Sequence, residues 1–181
     1  MKTYETELQT VKLEKNIKGR ILDIGGGGEG VIGRLYKDKV TAIDSRQDEL
    51  DEAPDGPIKM VMNAEKLDFC DENFDAVTSF FTMMYISKEK HIDVLKEAYR
   101  VMKPQGNIYI WDSCIPENKN DHQIFLLNLK IILPEEQIST GYGVEYSKQN
   151  AEYFISNLKD VGFKISKIEK SEYSFYIVAV K

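Results

Sequence analysis

Cysteine and histidine are scarce in this chain, two of each in 181 residues: Cys70, Cys114, His91 and His122. The cysteines lie far apart and form no C-x-x-C pair, so no disulfide scaffold is expected, and free thiols in a reducing cytoplasm are the simplest reading. With two histidines and no clustered cysteines a zinc site has almost no ligand supply, and no metal is expected. Long apolar runs are missing too. The longest weakly polar run, residues 76–86, has 11 residues, against the ~20 that span a bilayer. The opening MKTYETELQT carries no apolar stretch of the kind a secretory signal needs. A cytoplasmic protein with no membrane partner is therefore expected. Positive charge is in deficit, with 24 Lys and Arg against 30 Asp and Glu and a net charge of −6. Such a chain is a poor non-specific ligand for nucleic acid or anionic lipid.

What is present reads as one globular domain: 42% hydrophobic and 30% charged residues over 181 positions. Tyr4, Leu8 and Val11 recur at helical spacing, which predicts a helix over 3–18. Short, nearly continuous apolar runs then predict strands at 20–24, 39–44, 58–63, 74–81 and 107–112. Helical patterns fall between them at 31–38, after Ser45 (capped in an S-x-x-D pattern) and at 91–102. This order predicts an α/β fold with a doubly wound, mostly parallel sheet of seven strands, the last two from an antiparallel pair at 163–173 and 174–181. The segment 123–146 breaks the rhythm. Leu127, Leu129 and Ile131 alternate with polar residues, as do Ile138, Thr140, Tyr142 and Val144, so an inserted β-hairpin with its turn at PEEQ (134–137) is expected. Ser147 is the expected cap of a last helix that ends at Gly162.

The chemistry concentrates in ILDIGGGGEGVIGRL (21–35), four consecutive glycines between a strand and a helix. Glycine allows tight turns and close approach of a ligand to the main chain, and the following helix offers free N–H groups. Two ligand classes compete for such a loop. Gly25, Gly27 and Gly30 satisfy G-x-G-x-x-G, and Asp44, 19 residues past Gly25, stands where a carboxylate on a ribose 2′-OH belongs; together they describe an NAD-dependent oxidoreductase. Asp23 at the strand end argues for a ligand that carries an amino group instead, since a carboxylate suits a pyrophosphate badly.

At these residues the sequence resembles the class I S-adenosylmethionine-dependent methyltransferases, in particular small-molecule enzymes of quinone-biosynthesis type. LDIGGGG (22–28) is similar to that family's first motif, VTAID (40–44) to its ribose-binding strand, and NAEKLDFCDENFDAVTSFF (63–81) to its third-strand end, adenine loop and fourth strand. YRVMKPQGNIYIWD (99–112) is similar to its helix, Lys-Pro turn and fifth strand. Three positions depart from the pattern: Glu29 stands where the motif's third glycine falls, Asn63 where Asp is common, and Gln105 where a glycine is usual.

The resemblance implies a Rossmann-like methyltransferase fold, S-adenosylmethionine as cofactor and a small-molecule methyl acceptor. It places Asp23 near the methionine amino group, Gly25 and Gly27 against the cofactor, Asp44 with the adjacent Ser45 at the ribose, Asn63 and the Ala64 N–H at the adenine, and Ser79 and Phe80 beside the methionine part. Each has a plainer reading, as helix-start, turn or core residue. No catalytic base is identified. His91 reads as a solvated helix-start residue and His122 as a pocket-mouth residue, while Tyr85, Tyr142, Tyr146, Met83 and Met84 are candidates for the acceptor wall or for packing. Cys114 reads as a rim thiol. The absence of a Pro-Pro-aromatic motif after the fourth strand, of a Pro-Cys pair and of an acidic pair in SFFTMMYI sets aside nucleic-acid and protein-arginine methylation. A non-catalytic S-adenosylmethionine-binding protein stays open beside the oxidoreductase. The hairpin is expected as a lid over the pocket, with a homodimer contact as the alternative.

Overall fold

The computed structural model describes residues 2–118 and 120–181. From the N-terminus, β1 (Thr3–Glu5) and β2 (Gln9–Lys12) precede the first strand of the main sheet, β3 (Ile21–Ile24). Then follow α1 (Val31–Tyr36), β4 (Val40–Asp44), α2 (Gln47–Glu52), β5 (Ile58–Val61), β6 (Phe74–Phe80), α3 (Lys88–Val101) and β7 (Met102–Ser113). The chain continues through β8 (Ile124–Ile132), β9 (Gln137–Glu145), α4 (Ala151–Val161), β10 (Lys164–Lys170) and β11 (Ser174–Val180).

The main sheet has seven strands in the order β10-β11-β7-β6-β3-β4-β5. The five from β3 to β7 pair in parallel. β11 runs antiparallel to both β7 and β10, so the single reversed strand lies inside the sheet and β10 is its edge. Strand order turns back between β3 and β6, and that leaves a crevice outside their carboxyl ends. The continuous apolar runs are explained by cover on both faces. Leu22, Val77 and Ile110 pack towards α3 and α4, whereas Ile21, Ala76 and Trp111 pack towards α1.

The N-terminal segment is strand, not the expected helix. β1 and β2 lie end to end along one edge of β8, both parallel to it, and β9 pairs antiparallel along the other edge. Between β1 and β2, the Thr6 N–H donates to Leu126 O (3.0 Å) and its hydroxyl accepts from the Asn128 N–H (3.1 Å). Tyr4, Leu8 and Val11 do fit a helical face, but the open edge of β8 offers a ladder of unpaired backbone groups, and Thr3, Tyr4, Thr10 and Val11 suit a pleated surface. Tertiary pairing outweighs local spacing here, and Leu8 is left 59% exposed.

The hairpin forms as expected. Its Phe125, Leu127, Leu129 and Ile131 are fully buried against Ile32, Leu35 and Phe80 of the same chain. Three helix starts differ from expectation, and α3 begins at Lys88, three residues early. α2 begins at Gln47 rather than at Ser45, because Asp44 Oδ1 accepts the Arg46 N–H (3.0 Å) and forms the turn itself. α4 is capped by Asn150, which accepts the Tyr153 N–H (2.9 Å), and not by Ser147. Gly162 ends α4 in the left-handed region (φ +114°).

Candidate functional site

At the carboxyl ends of β3 and β4 the glycine loop turns over the sheet. Gly25 and Gly26 N–H groups both donate to Ile43 O, at 2.8 and 3.0 Å, so the loop is stitched to β4 before it reaches α1. Gly25, Gly28 and Gly30 have positive φ, which a side chain would strain. Gly27 is confined by space instead: a Cβ there would lie 2.5 Å from Glu49 Cβ and 3.0 Å from Asp44 Oδ2.

Beneath the loop lies a cavity of ≈ 1100 Å³, at the upper end of the ~300–1,000 Å³ usual for small-molecule sites. Asp23, Gly25, Gly27, Asp44 and Ser45 line one side of it. Asn63, Ala64 and Phe80 line it from the ends of β5 and β6. Eight of the nine residues singled out in the sequence thus come together. Ser79 does not: it is buried, lies outside the cavity lining, and its hydroxyl finds no partner. Ser79 pairs with Ile24 and Ile110, on the face of β6 opposite Phe80.

Asp23 is the most perturbed carboxyl of the cavity. Burial pushes it up to about 7, against a hydrogen bond from the Thr78 hydroxyl (2.7 Å) that favours the charged form, and the Asp44 carboxylate raises it further. Glu49, across the loop, is also raised, first by burial, although Arg46 at 3.2 Å pulls it down. Asp44 uses Oδ1 for the Arg46 N–H and turns Oδ2 towards Gly27, inside the cavity. Asn63 is committed locally as well: its Oδ1 accepts the Glu65 N–H (2.9 Å) in a tight turn.

The opposite wall comes from the turn after β6. Phe81 takes φ +49°, and a 3₁₀ turn at Met83–Tyr85 follows. Met83 and Met84 are buried core, while Thr82, Tyr85 and Ile86 line the cavity. Two buried polar residues hold this turn. His91, expected at the surface, is fully buried, with Nε2 at 2.9 Å from both Met83 O and Ile86 O and Nδ1 at 3.2 Å from the Tyr153 hydroxyl. Nε2–H donates to the two carbonyls, burial lowers the pKa of the ring, and the Tyr153 hydroxyl sits between Nδ1 and Lys88 O. Asp112, also fully buried, is raised by burial to about 6 and lowered by the Ser113 N–H and the Gln149 amide. The Met84 and Met83 N–H groups lower it further, yet Oδ2 closes no hydrogen bond of its own. Periodicity carried a signal for His91: it lies three and four residues before Val94 and Leu95, on the face of α3 that they bury with Ala98 and Val101.

Tyr142 of β9 completes the wall. It lines the cavity and stacks on Phe81, with ring centroids 5.7 Å apart and planes 29° apart. Tyr146 and His122 do not reach the cavity; they stack on each other 6.0 Å apart and pack against Tyr4. Cys114 is half-buried beside the α3–α4 core. Among the described residues no group of histidine, cysteine and carboxylate side chains is arranged to hold a metal, and no helix is long and apolar enough to cross a membrane.

Comparison with known proteins bears on this arrangement. The family model described as methyltransferase domain matches residues 22–110, which hold the glycine loop, Asp44, Asn63 and the turn after β6. A demethylmenaquinone methyltransferase of Chlorobaculum parvum is 33% identical over 111 residues, 56% of this chain and 45% of that protein. A phosphoethanolamine N-methyltransferase of Plasmodium falciparum is 28% identical over 117 residues, 60% of this chain and 44% of that one. This chain thus spans under half the length of these curated relatives. A solved S-adenosylmethionine-dependent methyltransferase from Methanosarcina mazei superposes with a TM-score of 0.63 at 21% identity, covering 90% of this chain and 92% of that one, a likeness of fold.

Proposed function

We propose that this chain, whose residues 22–110 match the methyltransferase-domain family model, is a class I S-adenosylmethionine-dependent methyltransferase that transfers a methyl group from S-adenosylmethionine to a small-molecule acceptor. The observation that carries this reading is Asp23. A carboxylate buried at the strand end, under a glycine loop, suits a ligand that brings an ammonium group and disfavours the pyrophosphate of a dinucleotide. Binding of an ammonium returns to Asp23 the counter-charge that burial removes. Asp44, with Oδ2 free in the cavity, accepts from ribose hydroxyls, Ser45 stands beside it, and Asn63 and Ala64 border the adenine end. Gly25 and Gly27 leave the main chain bare where the cofactor lies. S-adenosylmethionine supplies, when bound, a methyl group on a positively charged sulfur. The protein's part is then orientation and exclusion of water.

The acceptor half of the cavity is lined by Phe80, Phe81, Tyr85, Ile86 and Tyr142. The cations among the described lining residues, Arg46 and Lys90, are both engaged, Arg46 by Asp48 and Glu49 and Lys90 by Glu65 at 2.8 Å. An acceptor with a phosphate or carboxylate finds no free partner there, so the reading is an acceptor without anionic groups. Neither phenol serves as a base at neutral pH, since a phenol ordinarily ionises at about 10, and burial and the Glu29 carboxylate raise Tyr142 above that. The hairpin is read as a lid of the same subunit, not a dimer contact, because its apolar face is spent on its own core.

Calorimetric titration with S-adenosylmethionine, S-adenosylhomocysteine and NAD tests the proposal. Both adenosyl ligands should bind and NAD should not. S-adenosylhomocysteine at a hundred times its Kd should add ~2.7 kcal/mol of stability. Binding of NAD and of neither adenosyl ligand would reassign the site to an oxidoreductase.

A further inference from the structure

Glu29 is the one side chain set into the glycine run, held between Gly28 (φ +55°) and Gly30 (φ +54°). It does not face a cation. Arg34 spends its Nε on the Glu29 carbonyl (2.6 Å) and its Nη1 on Glu136 at the β8–β9 turn (3.2 Å). Both carboxylate oxygens of Glu29 instead accept from β9: Oε1 from the Thr140 hydroxyl and Oε2 from the Tyr142 hydroxyl at 3.1 Å.

β9 needs such a hold. It is an edge strand paired only with β8, it carries Gly141 and Gly143, and every second residue along it is exposed. Glycine weakens a strand and an unpaired edge frays readily. Yet Tyr142 of this strand forms part of the cavity wall against Phe81. The carboxylate from the glycine loop gives Tyr142 a second tie beside its ladder to β8.

We propose that Glu29 is a positioning residue that seats Tyr142 against Phe81, and so couples the shape of the glycine loop to closure of the second sheet over the acceptor half of the cavity. The link is reciprocal: a ligand that orders the loop must also order β9. The inference rests on the methyltransferase reading for what fills each half of the cavity, whereas the hydrogen bonds that make the link do not depend on it.

Amide hydrogen exchange over residues 137–145 tests it, in the wild type, Glu29→Ala, Glu29→Gln and Tyr142→Phe, with and without S-adenosylhomocysteine, and with binding measured calorimetrically on the same samples. Without ligand, Glu29→Ala should speed exchange in 137–145 roughly tenfold or more, the change in opening expected when a hydrogen bond to a carboxylate is lost, while α3 keeps its protection. Tyr142→Phe, which removes only a hydroxyl, should reproduce a large part of that change even if Glu29→Ala fails to fold. Glu29→Gln should restore part of the protection, because its amide can accept from one hydroxyl and donate to the other. With saturating S-adenosylhomocysteine the wild type should gain protection in 137–145 and Glu29→Ala should gain none, although it still binds. Wild-type exchange rates in both Glu29→Ala and Tyr142→Phe, or equal ligand-induced protection in wild type and Glu29→Ala, would overturn the link. If the wild type binds no adenosyl ligand the methyltransferase reading falls, and the ligand-free comparison still decides the role of Glu29.

Discussion

Asp23→Asn should make the free protein more stable at pH 8 while impairing its site. The native carboxyl is raised from 3.8 to about 7, chiefly by burial, so the folded state holds its proton in a range where the unfolded chain has released it. A raised acid contributes most to stability below its unfolded value, and stability is lost as pH rises towards the folded value. At ~1.36 kcal/mol per unit, keeping the ionised group buried at pH 8 costs about 4 kcal/mol. At pH 5 linkage leaves a cost of only about 1–2 kcal/mol. Asparagine has the same shape, carries no charge, and its Oδ1 can still accept from the Thr78 hydroxyl, which sits 2.7 Å from Asp23 Oδ1. The advantage of the variant over wild type should therefore grow by about 2–3 kcal/mol between pH 5 and pH 8. For a chain of this size that is a rise of roughly 5–10 °C in the difference between the two melting temperatures. The assay is paired thermal unfolding across that pH range, without ligand, with urea melts at the two ends. S-adenosylhomocysteine affinity, measured in parallel, should fall at least roughly tenfold through loss of a charge-assisted hydrogen bond. Parallel stability curves for the two proteins from pH 5 to 8 would refute the burial argument, and unchanged affinity would remove Asp23 from the ligand.

Asp44→Ala should weaken S-adenosylhomocysteine binding roughly 10- to 150-fold in a folded protein, since a hydrogen bond to a charged group is worth ~1.5–3 kcal/mol; calorimetry reads this directly. Gly27→Val should abolish binding, because its Cβ alone would stand 2.5 Å from Glu49 Cβ. Gly33→Ala, whose Cβ would meet the Pro57 ring at 2.6 Å, should lower the melting temperature and leave affinity nearly intact; matching affinities in the two variants would move the ligand away from the loop. His91→Phe leaves Ile86 O without its partner and should cost about 1–3 kcal/mol. Burial lowers the His91 pKa, so the unfolded chain takes up a proton near 6.5 that the folded one resists, and wild-type stability falls as pH drops through that value. Denaturant melts at pH 7.5 and 5.5 should show that loss reduced in His91→Phe.

The five parallel strands, the glycine loop and the acidic strand end at Asp44 were legible in the sequence because their causes are local. A strand covered on both faces reads as an apolar run, a turn against a ligand needs glycine, and a strand end must place its carboxylate at the crevice. The hairpin was legible for the same reason, from strict alternation along 124–145. Other features depended on partners distant in the chain. Residues 3–12 carry a helical spacing that loses to the open edge of β8, more than 110 positions away. Ser79 and its neighbour Phe80 look equally suited to the site, and only the folded sheet puts Phe80 in the cavity wall and buries Ser79 outside it. His91 reads as a solvated residue until the helix is docked, when burial and the 83–86 carbonyls make it a neutral clamp. Glu29 is, in sequence, a break in a glycine pattern; in space it is the contact between that loop and a strand 111 residues later. Local propensity and spacing determine the elements of the main sheet, while long-range hydrogen bonds and burial decide that residues 3–12 form strands, which side chains face the cavity and in what charge state.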